Sequence, residues 1–510
     1  MKKTVFILIF LSLINNIAFS QKSNDSIWKK VEELEIKNLP KSALIIVDSI
    51  YKNALKENNS NQIIKSLFFK SKFSLILNEN AQLNIIQDFK KQINKSSFPS
   101  KNVLENILGN LYWQYFKKNR YQFYQRTKTE EKIDSLDFRT WDLNTIFAEI
   151  HKHYQNAFTN SHELTKISST IFKDIIDLKK NSETFRPTLY DFLSHNALEF
   201  YKTTESNITK PTFHFKIDDS IYFADFESFS KLDLNTKDSL SLQFNALKIY
   251  QNLIKFHQKN KDKGALAEVD IERLKYVEKY ASVNMDKNNY LNALLNTEKK
   301  FANNKASGMY AFEIATYYFN QSNKENNTQN KFKKLEALKI CNRVLKDFPN
   351  SHGAKKCAIL KRNIKQKFIS ITAEKFLPTN TPSRLLINYK NIDKLYFRSY
   401  KISDFELDSL NRIYNVNEII SYISKLKKVN SWNSNLRNEN DYKEHTTEIV
   451  VPKFKKGTYV ILASESKDFK SDKLFGTTSI KVTNLALIES NQGGKYIYQV
   501  VNRNTGKPIK

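Results

Sequence analysis

Between residues 40 and 55 the apolar side chains fall at Ala43, Leu44, Val47, Ile50, Tyr51, Ala54 and Leu55. That i, i+3, i+4, i+7 spacing lines one face of an α-helix, and Pro40 stands where a helix can begin. Leu104, Leu108, Leu111, Tyr115 and Phe116 repeat the pattern. Leu335 to Ile364 reads as helix, tight turn, helix, with the turn at Phe348-Pro349-Asn350-Ser351. Ala337 precedes Pro349 by twelve residues, the Ala-to-Pro spacing in the second helix of a tetratricopeptide-type repeat. The full repeat signature and a strict period are both missing. Residues 21–370 are therefore expected to form a degenerate tetratricopeptide-like helical array.

After about residue 366 the period shortens to two. Phe368, Ser370, Thr372 and Glu374 alternate with Ile369, Ile371 and Ala373, and short β-rich runs follow at Arg384 to Tyr389 and Lys394 to Tyr400. Further runs lie at Thr446 to Val451, Thr458 to Ala463 and Thr478 to Ile488. Turn chemistry stands at Lys455-Lys456-Gly457 and Gln492-Gly493-Gly494. Strands at this spacing predict a β-sandwich over 371–482, interrupted by one amphipathic helix near Asn417 to Leu426. A second sandwich begins at Lys495-Tyr496-Ile497-Tyr498-Gln499-Val500-Val501, so residues 483–510 read as the start of a further domain. One strand and its turn cannot fold alone, because an unpaired edge needs a partner. Either the chain is one segment of a longer protein, the reading preferred here, or this strand completes the preceding sandwich.

Composition supports the same division. Four of the nine glycines lie before residue 450 and five in the last 60 residues. Gly and Pro together number 18 in 510 residues, which excludes collagen-like and Pro-rich architectures. The length leaves room for two to four domains. Aromatics at 13% provide enough apolar surface for a sizeable core, so disorder is not the expectation. The formal charge of +29 invites an anionic partner, but the lysines are spread along the chain. Compositional bias with a solvated basic surface is the preferred reading, and a functional basic face the alternative.

Lys2 and Lys3, the apolar run from Thr4 to Ile14, and Ala18-Phe19-Ser20 before Gln21 match a secretory signal peptide over residues 1–20. No Cys follows that run, which argues against a lipoprotein anchor; an uncleaved N-terminal anchor is the alternative. No later segment is long enough to span a bilayer. The mature chain is expected to be exported, to the periplasm, the cell surface or the medium. A secreted chain meets no chromosome, so nucleic acid is not an expected partner. Export also bears on Cys341 and Cys357, the only cysteines, since an oxidising compartment permits a disulfide. Each lies eight residues from Pro349, so a helical hairpin folded there sets them opposite one another. A disulfide stapling this hairpin is the preferred reading, and two buried thiols the alternative.

Motifs for chemistry are scarce. There is no GxxxxGK[ST], GxGxxG or GxSxG sequence. His162-Glu163 lacks the second His of a zinc motif, and His151 and His153 diverge by about 200° on a helix, too far to share a metal. Asp218-Asp219 are adjacent carboxylates in a loop, and acid–base pairs usually come from different elements. Tyr112, Trp113, Tyr115, Phe116, Lys117, Lys118, Arg120, Tyr121, Phe123, Tyr124 and Arg126 could stack bases, but read better as a buried helical stripe with a wet basic face. No catalytic residue, cofactor or metal ligand is expected, and the chain is not read as an enzyme.

Several segments resemble the N-terminal region of the alpha-2-macroglobulin-like proteins of Bacteroidetes-type bacteria. The helical ones are Trp28-Lys29-Lys30-Val31 with Leu39-Pro40-Lys41-Ser42-Ala43-Leu44, Thr140-Trp141-Asp142-Leu143, and Arg186-Pro187-Thr188-Leu189-Tyr190-Asp191-Phe192-Leu193. The β ones are Asn388-Tyr389-Lys390-Asn391 with Leu395-Tyr396-Phe397-Arg398, and Lys456-Gly457-Thr458-Tyr459-Val460. The last is Asn484-Leu485-Ala486-Leu487 leading to Asn502-Arg503-Asn504-Thr505-Gly506-Lys507-Pro508. The resemblance implies a macroglobulin-like sandwich over 371–482, a second such domain opening at 483, and proteases as targets of the full-length family, trapped after they cut a bait segment. In many members a thioester then holds the attacker. This sequence has no Cys-x-x-Gln thioester motif and stops before bait and thioester domains would appear, so none of the family's functional residues carries over. The expected function is that of the N-terminal portion of an exported endopeptidase inhibitor, not inhibitory alone. The alternative is a free-standing helical-repeat scaffold that binds a protein or glycan.

Overall fold

The structure, a computed structural model, describes residues 25–126, 136–176, 182–205, 213–282, 285–324, 330–469 and 474–509. The signal-peptide reading of residues 1–20 lies outside the described residues. Helices precede strands, with the change falling between Lys365 and Phe368, as the period predicted. The chain divides into two compact units, one ending at Tyr310 and one starting at Ala311.

The first unit is helical. Helices α1 (Asp25–Ile36), α2 (Pro40–Lys56) and α3 (Ser60–Leu77) pack in sequence order. Pro40 occupies the first turn of α2, where its missing N–H costs nothing. That helix buries Ala43, Val47, Ile50 and Ala54, while Leu55, counted in the apolar stripe, is exposed. Helix α4 (Gln82–Lys95) leads to the long α5 (Ser100–Tyr124), which packs against α4, α6 (Leu143–Ala157) and, beyond the short α7 (Ser161–Leu164), α8 (Leu189–Tyr201). Gly109 permits the α5–α6 approach, since a Cβ there would already touch His153 and Tyr154 at 3.4 Å. The aromatic run of α5 is core: Tyr112, Trp113, Phe116 and Phe123 are buried, with Trp113 edge-on to Phe200 at 5.4 Å and Phe116 to Phe147 at 4.9 Å. Such pairs add about 0.5–1.5 kcal/mol each beyond the area they bury. The unit continues through α9 (Phe226–Lys231), α10 (Leu242–His257), α11 (Gly264–Tyr280) and α12 (Asn289–Lys300), and the division between units falls within α13 (Ser307–Ser322).

In the second unit α14 (Lys333–Asp347) and α15 (His352–Lys365) form the hairpin expected around Pro349, with Ser351 Oγ accepting from Ala354 N at 3.0 Å as the cap of α15. Ten strands follow. β1 (Phe368–Ala373), β3 (Ser383–Lys390) and β6 (His445–Val451) form a three-stranded sheet in the order β1-β3-β6. β2 (Phe376–Leu377), β4 (Lys394–Ile402), β5 (Lys427–Asn435), β7 (Gly457–Ser464) and β8 (Phe475–Val482) form a five-stranded sheet in the order β2-β8-β7-β4-β5. Ile371, Leu385 and Ile387 from the first sheet meet Phe397, Ile461 and Ile480 from the second, which is the core of a sandwich. Helices α16 (Asp404–Leu410) and α17 (Val416–Ser424) cover the other face of the larger sheet, where Leu410 and Ile423 meet Tyr400, Val460 and Leu462. Strand β7 is consequently buried on both faces.

One feature departs from the pattern-based expectation, and a second concerns the last strand. The run from Thr478 to Ile488 is not one strand: it breaks at Thr483-Asn484 into β8 and β9 (Leu485–Gln492). Asn484 fixes that break, its Oδ1 accepting from Thr379 N at 3.0 Å and its carbonyl from Arg503 N at 2.7 Å. Strand β10 (Lys495–Asn502) pairs with β9 and, through a bridge from Val501 to Pro508, with the residues that follow it, and joins neither sandwich sheet. Gly493 and Gly494 form the two-residue turn between them, with φ of +60° and +81° that side chains with a Cβ seldom tolerate.

Candidate functional site

A cleft of about 970 Å³ opens in the helical unit between α6, the end of α8, residues 213–217, residues 237–243 and the end of α11. Asn144, Phe147 and His151 line it from α6, while Ile146, Ile150 and Tyr154 of the same helix are buried. Asp142 sets the start of that helix by accepting from Thr145 N at 2.7 Å. Ser241 likewise caps α10 and so places the 237–243 wall. Phe215 packs edge-on against Phe244 at 5.5 Å, and Ser282 N bonds Ile217 O at 2.9 Å, joining the remaining walls.

One hydrogen-bonded pair borders the cleft. The Tyr201 hydroxyl lies 2.9 Å from His151 Nδ1 and also accepts from Gln155 Nε2 at 3.3 Å. The amide donation leaves the hydroxyl proton for the imidazole. Burial pushes the His151 pKa down, favouring the neutral ring that can accept it. Burial pushes the Tyr201 hydroxyl up, so it does not ionise near neutral pH. The pair orients a wall and supplies no nucleophile. Lys216, Lys237, His214 and the carboxylate Asp238 line the cleft with the aromatic rings Phe147, Phe213, Phe215 and Tyr280, a mixed surface of apolar and charged groups.

The polar clusters that look most like chemistry are enclosed. His257 Nε2 lies 2.6 Å from Asp191 Oδ1, and His153 Nδ1 lies 2.5 Å from Glu105 Oε2 with Glu149 on its other side. Arg273 donates to Asp270 Oδ1, and Tyr310 Oη donates to Asp270 Oδ2 at 2.8 Å. All of these side chains are buried, so they tie helices together and have no route to substrate.

The residues singled out in the sequence are dispersed. His151 faces the cleft and His153 the core, on different sides of α6. Glu163 bonds Lys166 at 2.8 Å on the surface beside His162, and Asp219 accepts from Ile221 N at 2.9 Å as a local cap. The structure records Cys341 and Cys357 as unbonded thiols, both fully buried in the α14–α15 interface, with Cys341 hydrogen-bonded to Cys357. Among the described residues no group of three or more His, Cys, Asp or Glu side chains could hold a metal, and no helix is long and apolar enough to cross a membrane. The cleft residues Phe147, Phe215 and Tyr280 come from three distant segments, so no local spacing could have gathered them.

No family model matches the chain, and no curated protein matches it. Among solved structures it is similar to an Escherichia coli alpha-2-macroglobulin spanning domains MG0-NIE-MG1, at 9% identity and a TM-score of 0.21 over 28% of this chain. The match spans about half of that structure's length, 47%. The CARDB domain of a Pyrococcus furiosus protein, solved with di-metal ions, is also similar, at 12% identity and a TM-score of 0.14, covering 23% of this chain and 88% of that one.

Proposed function

We propose that the chain is the N-terminal portion of an exported alpha-2-macroglobulin-like endopeptidase inhibitor, a non-enzymatic scaffold that does not trap proteases by itself. The observation that carries this reading is the order of the parts. A helical array leads into a sandwich of three- and five-stranded sheets, and the chain then leaves both sheets as the β9–β10 ribbon. Leu487, Tyr496 and Tyr498 on that ribbon are all more than half exposed, as the opening strands of a second macroglobulin-like domain would be. Proteases are then targets of the whole inhibitor, in the periplasm or outside the cell, and nucleic acid is not a partner. The sequence has no Cys-x-x-Gln, which fits a segment that positions other domains.

Incubating the purified chain with trypsin tests the claim that it is inert alone: trypsin should stay open to a large protein inhibitor, and shielding would overturn it. Immunoblotting native cell fractions with antibody to the helical region tests the architecture. A band far above 59.8 kDa supports the inhibitor reading. A stable band at the size of the signal-cleaved chain overturns it in favour of a free-standing scaffold. The 970 Å³ cleft is the observation that favours this second reading, because it offers a partner-sized recess without need of further domains.

A further inference from the structure

We propose that Cys341 and Cys357 are a covalent modification site: they close into an intramolecular disulfide that staples α14 to α15 when the chain folds under oxidising conditions. The sequence places each cysteine eight residues from Pro349 and leaves open whether they bond. The structure adds three observations. Both side chains are fully buried, the two share one core cluster in which Cys341 is hydrogen-bonded to Cys357, and Ala337 and Ala354 each stand one helical turn from a cysteine. Val344, Leu338, Leu360 and Ile364 belong to the same cluster around them. With only two cysteines in 510 residues, no other intramolecular pairing competes.

A disulfide donor such as oxidised glutathione supplies the oxidising equivalent. The Cys341 thiolate attacks it, forming a mixed disulfide and releasing one glutathione thiolate. The Cys357 thiolate then attacks the Cys341 sulfur and displaces the second. Two protein thiols lose two electrons and two protons, and one glutathione disulfide becomes two thiols. Because neither sulfur is exposed in the folded hairpin, exchange has to occur during folding or on opening of α15.

The staple holds a junction. Helix α15 feeds β1 through Gln366 and Lys367, and Asn391 Nδ2 bonds Ile364 O at 2.9 Å and Gln366 O at 3.0 Å. Fixing α15 on α14 therefore fixes the platform from which the first strand of the sandwich departs.

The proposal takes only its cellular setting from the export reading, and the chemistry is tested without export. Full-length protein lacking residues 1–20 is made in a reducing cytoplasm, unfolded, and refolded with reduced and oxidised glutathione. The expected product is lighter by about 2 Da. Its non-reduced tryptic map joins Ile340-Cys341-Asn342-Arg343 to Cys357-Ala358-Ile359-Leu360-Lys361. Reductant should lower its melting temperature by roughly 5–10 °C, an effect absent from Cys341→Ala/Cys357→Ala. If both cysteines of the refolded, then denatured wild type are alkylated without reductant, the proposal falls. That readout needs no variant to fold. Failure of export with an intact disulfide in this assay would refute only the localisation.

Discussion

Asp191 and His257, 66 residues apart, meet at 2.6 Å between Oδ1 and Nε2 with neither side chain exposed. The other oxygen of Asp191 accepts from Thr188 N at 2.9 Å and from Thr188 Oγ1 at 2.7 Å, closing the capping box of α8. One carboxylate thus starts α8 and ties it to the last residue of α10. Asp191→Ala should cost about 3–5 kcal/mol, because it strips the cap and leaves a buried imidazole without its partner. Urea unfolding of wild type and variant measures this. A loss near 1 kcal/mol would mean that only the cap matters.

The Asp270–Arg273–Tyr310 cluster allows a graded test. Arg273 also donates to Tyr222 O at 2.7 Å and lies 4.4 Å from the Phe229 ring centroid. Arg273→Met should destabilise by about 3–5 kcal/mol by stranding the Asp270 charge. Tyr310→Phe, which removes one donor and keeps the ring, should cost about 1–2 kcal/mol. Calorimetric melting of the two variants should rank them in that order.

Acid should weaken the helical unit in two stages. Burial, with Arg186, Lys202 and His257 adding repulsion, holds His195 down to about 3. Glu272 lies 3.6 Å from its Nδ1, too far for a hydrogen bond that would offset the burial. The unfolded chain therefore takes up this proton first, and stability falls as pH drops from 6.5 towards 3. Glu149, facing His153 Nε2 at 3.5 Å with Lys152 and Lys90 nearby, is pulled down to about 2, so its contribution is present above 4.5 and lost between 4.5 and 2. His153 is raised by Glu105 and Glu149 despite its burial, and acts in the opposite sense: its contribution is complete below 6.5 and fades as pH rises through its folded value. Urea titrations at about pH 7 and pH 5 should show His195→Asn losing about 2 kcal/mol less than wild type over that interval. An unchanged slope would place the proton elsewhere.

Arg503 anchors the β9–β10 ribbon, donating from Nη1 to Phe376 O at 2.6 Å while its backbone N bonds Asn484 O. Arg503→Ala should raise hydrogen exchange of the ribbon amides roughly tenfold and leave β7 unchanged. Equal acceleration in both would show that the ribbon is part of the sandwich's cooperative unit.

Periodicity revealed α2, the α14–α15 hairpin and most sandwich strands, because each is specified by neighbours three to four, or two, positions away. Strand β5 was not legible: Lys427 to Asn435 holds only Val429 and Trp432 as apolar residues, too few to show a period of two, and its place comes from pairing with β4 and from Trp432 stacking on Phe397. The short α16 was also missed, although Ser403 and Glu406 form a capping box in front of it. The aromatic run of α5 was legible as core because its spacing is helical. The buried networks were not, since Asp191 and His257, or Asp270 and Tyr310, are brought together only by packing. The cleft shares that origin. The hairpin symmetry about Pro349 did juxtapose Cys341 and Cys357, a case where local geometry reaches across a turn.

Strand β7 lines two hydrophobic layers at once, Ile461 and Ala463 facing the sandwich and Val460 and Leu462 facing α16 and α17. A slip of one residue would exchange the two linings apolar for apolar, so polarity alone does not fix the register of this strand. Shape does: the small Ala463 and the larger Leu462 would trade layers, leaving a void in one and crowding the other.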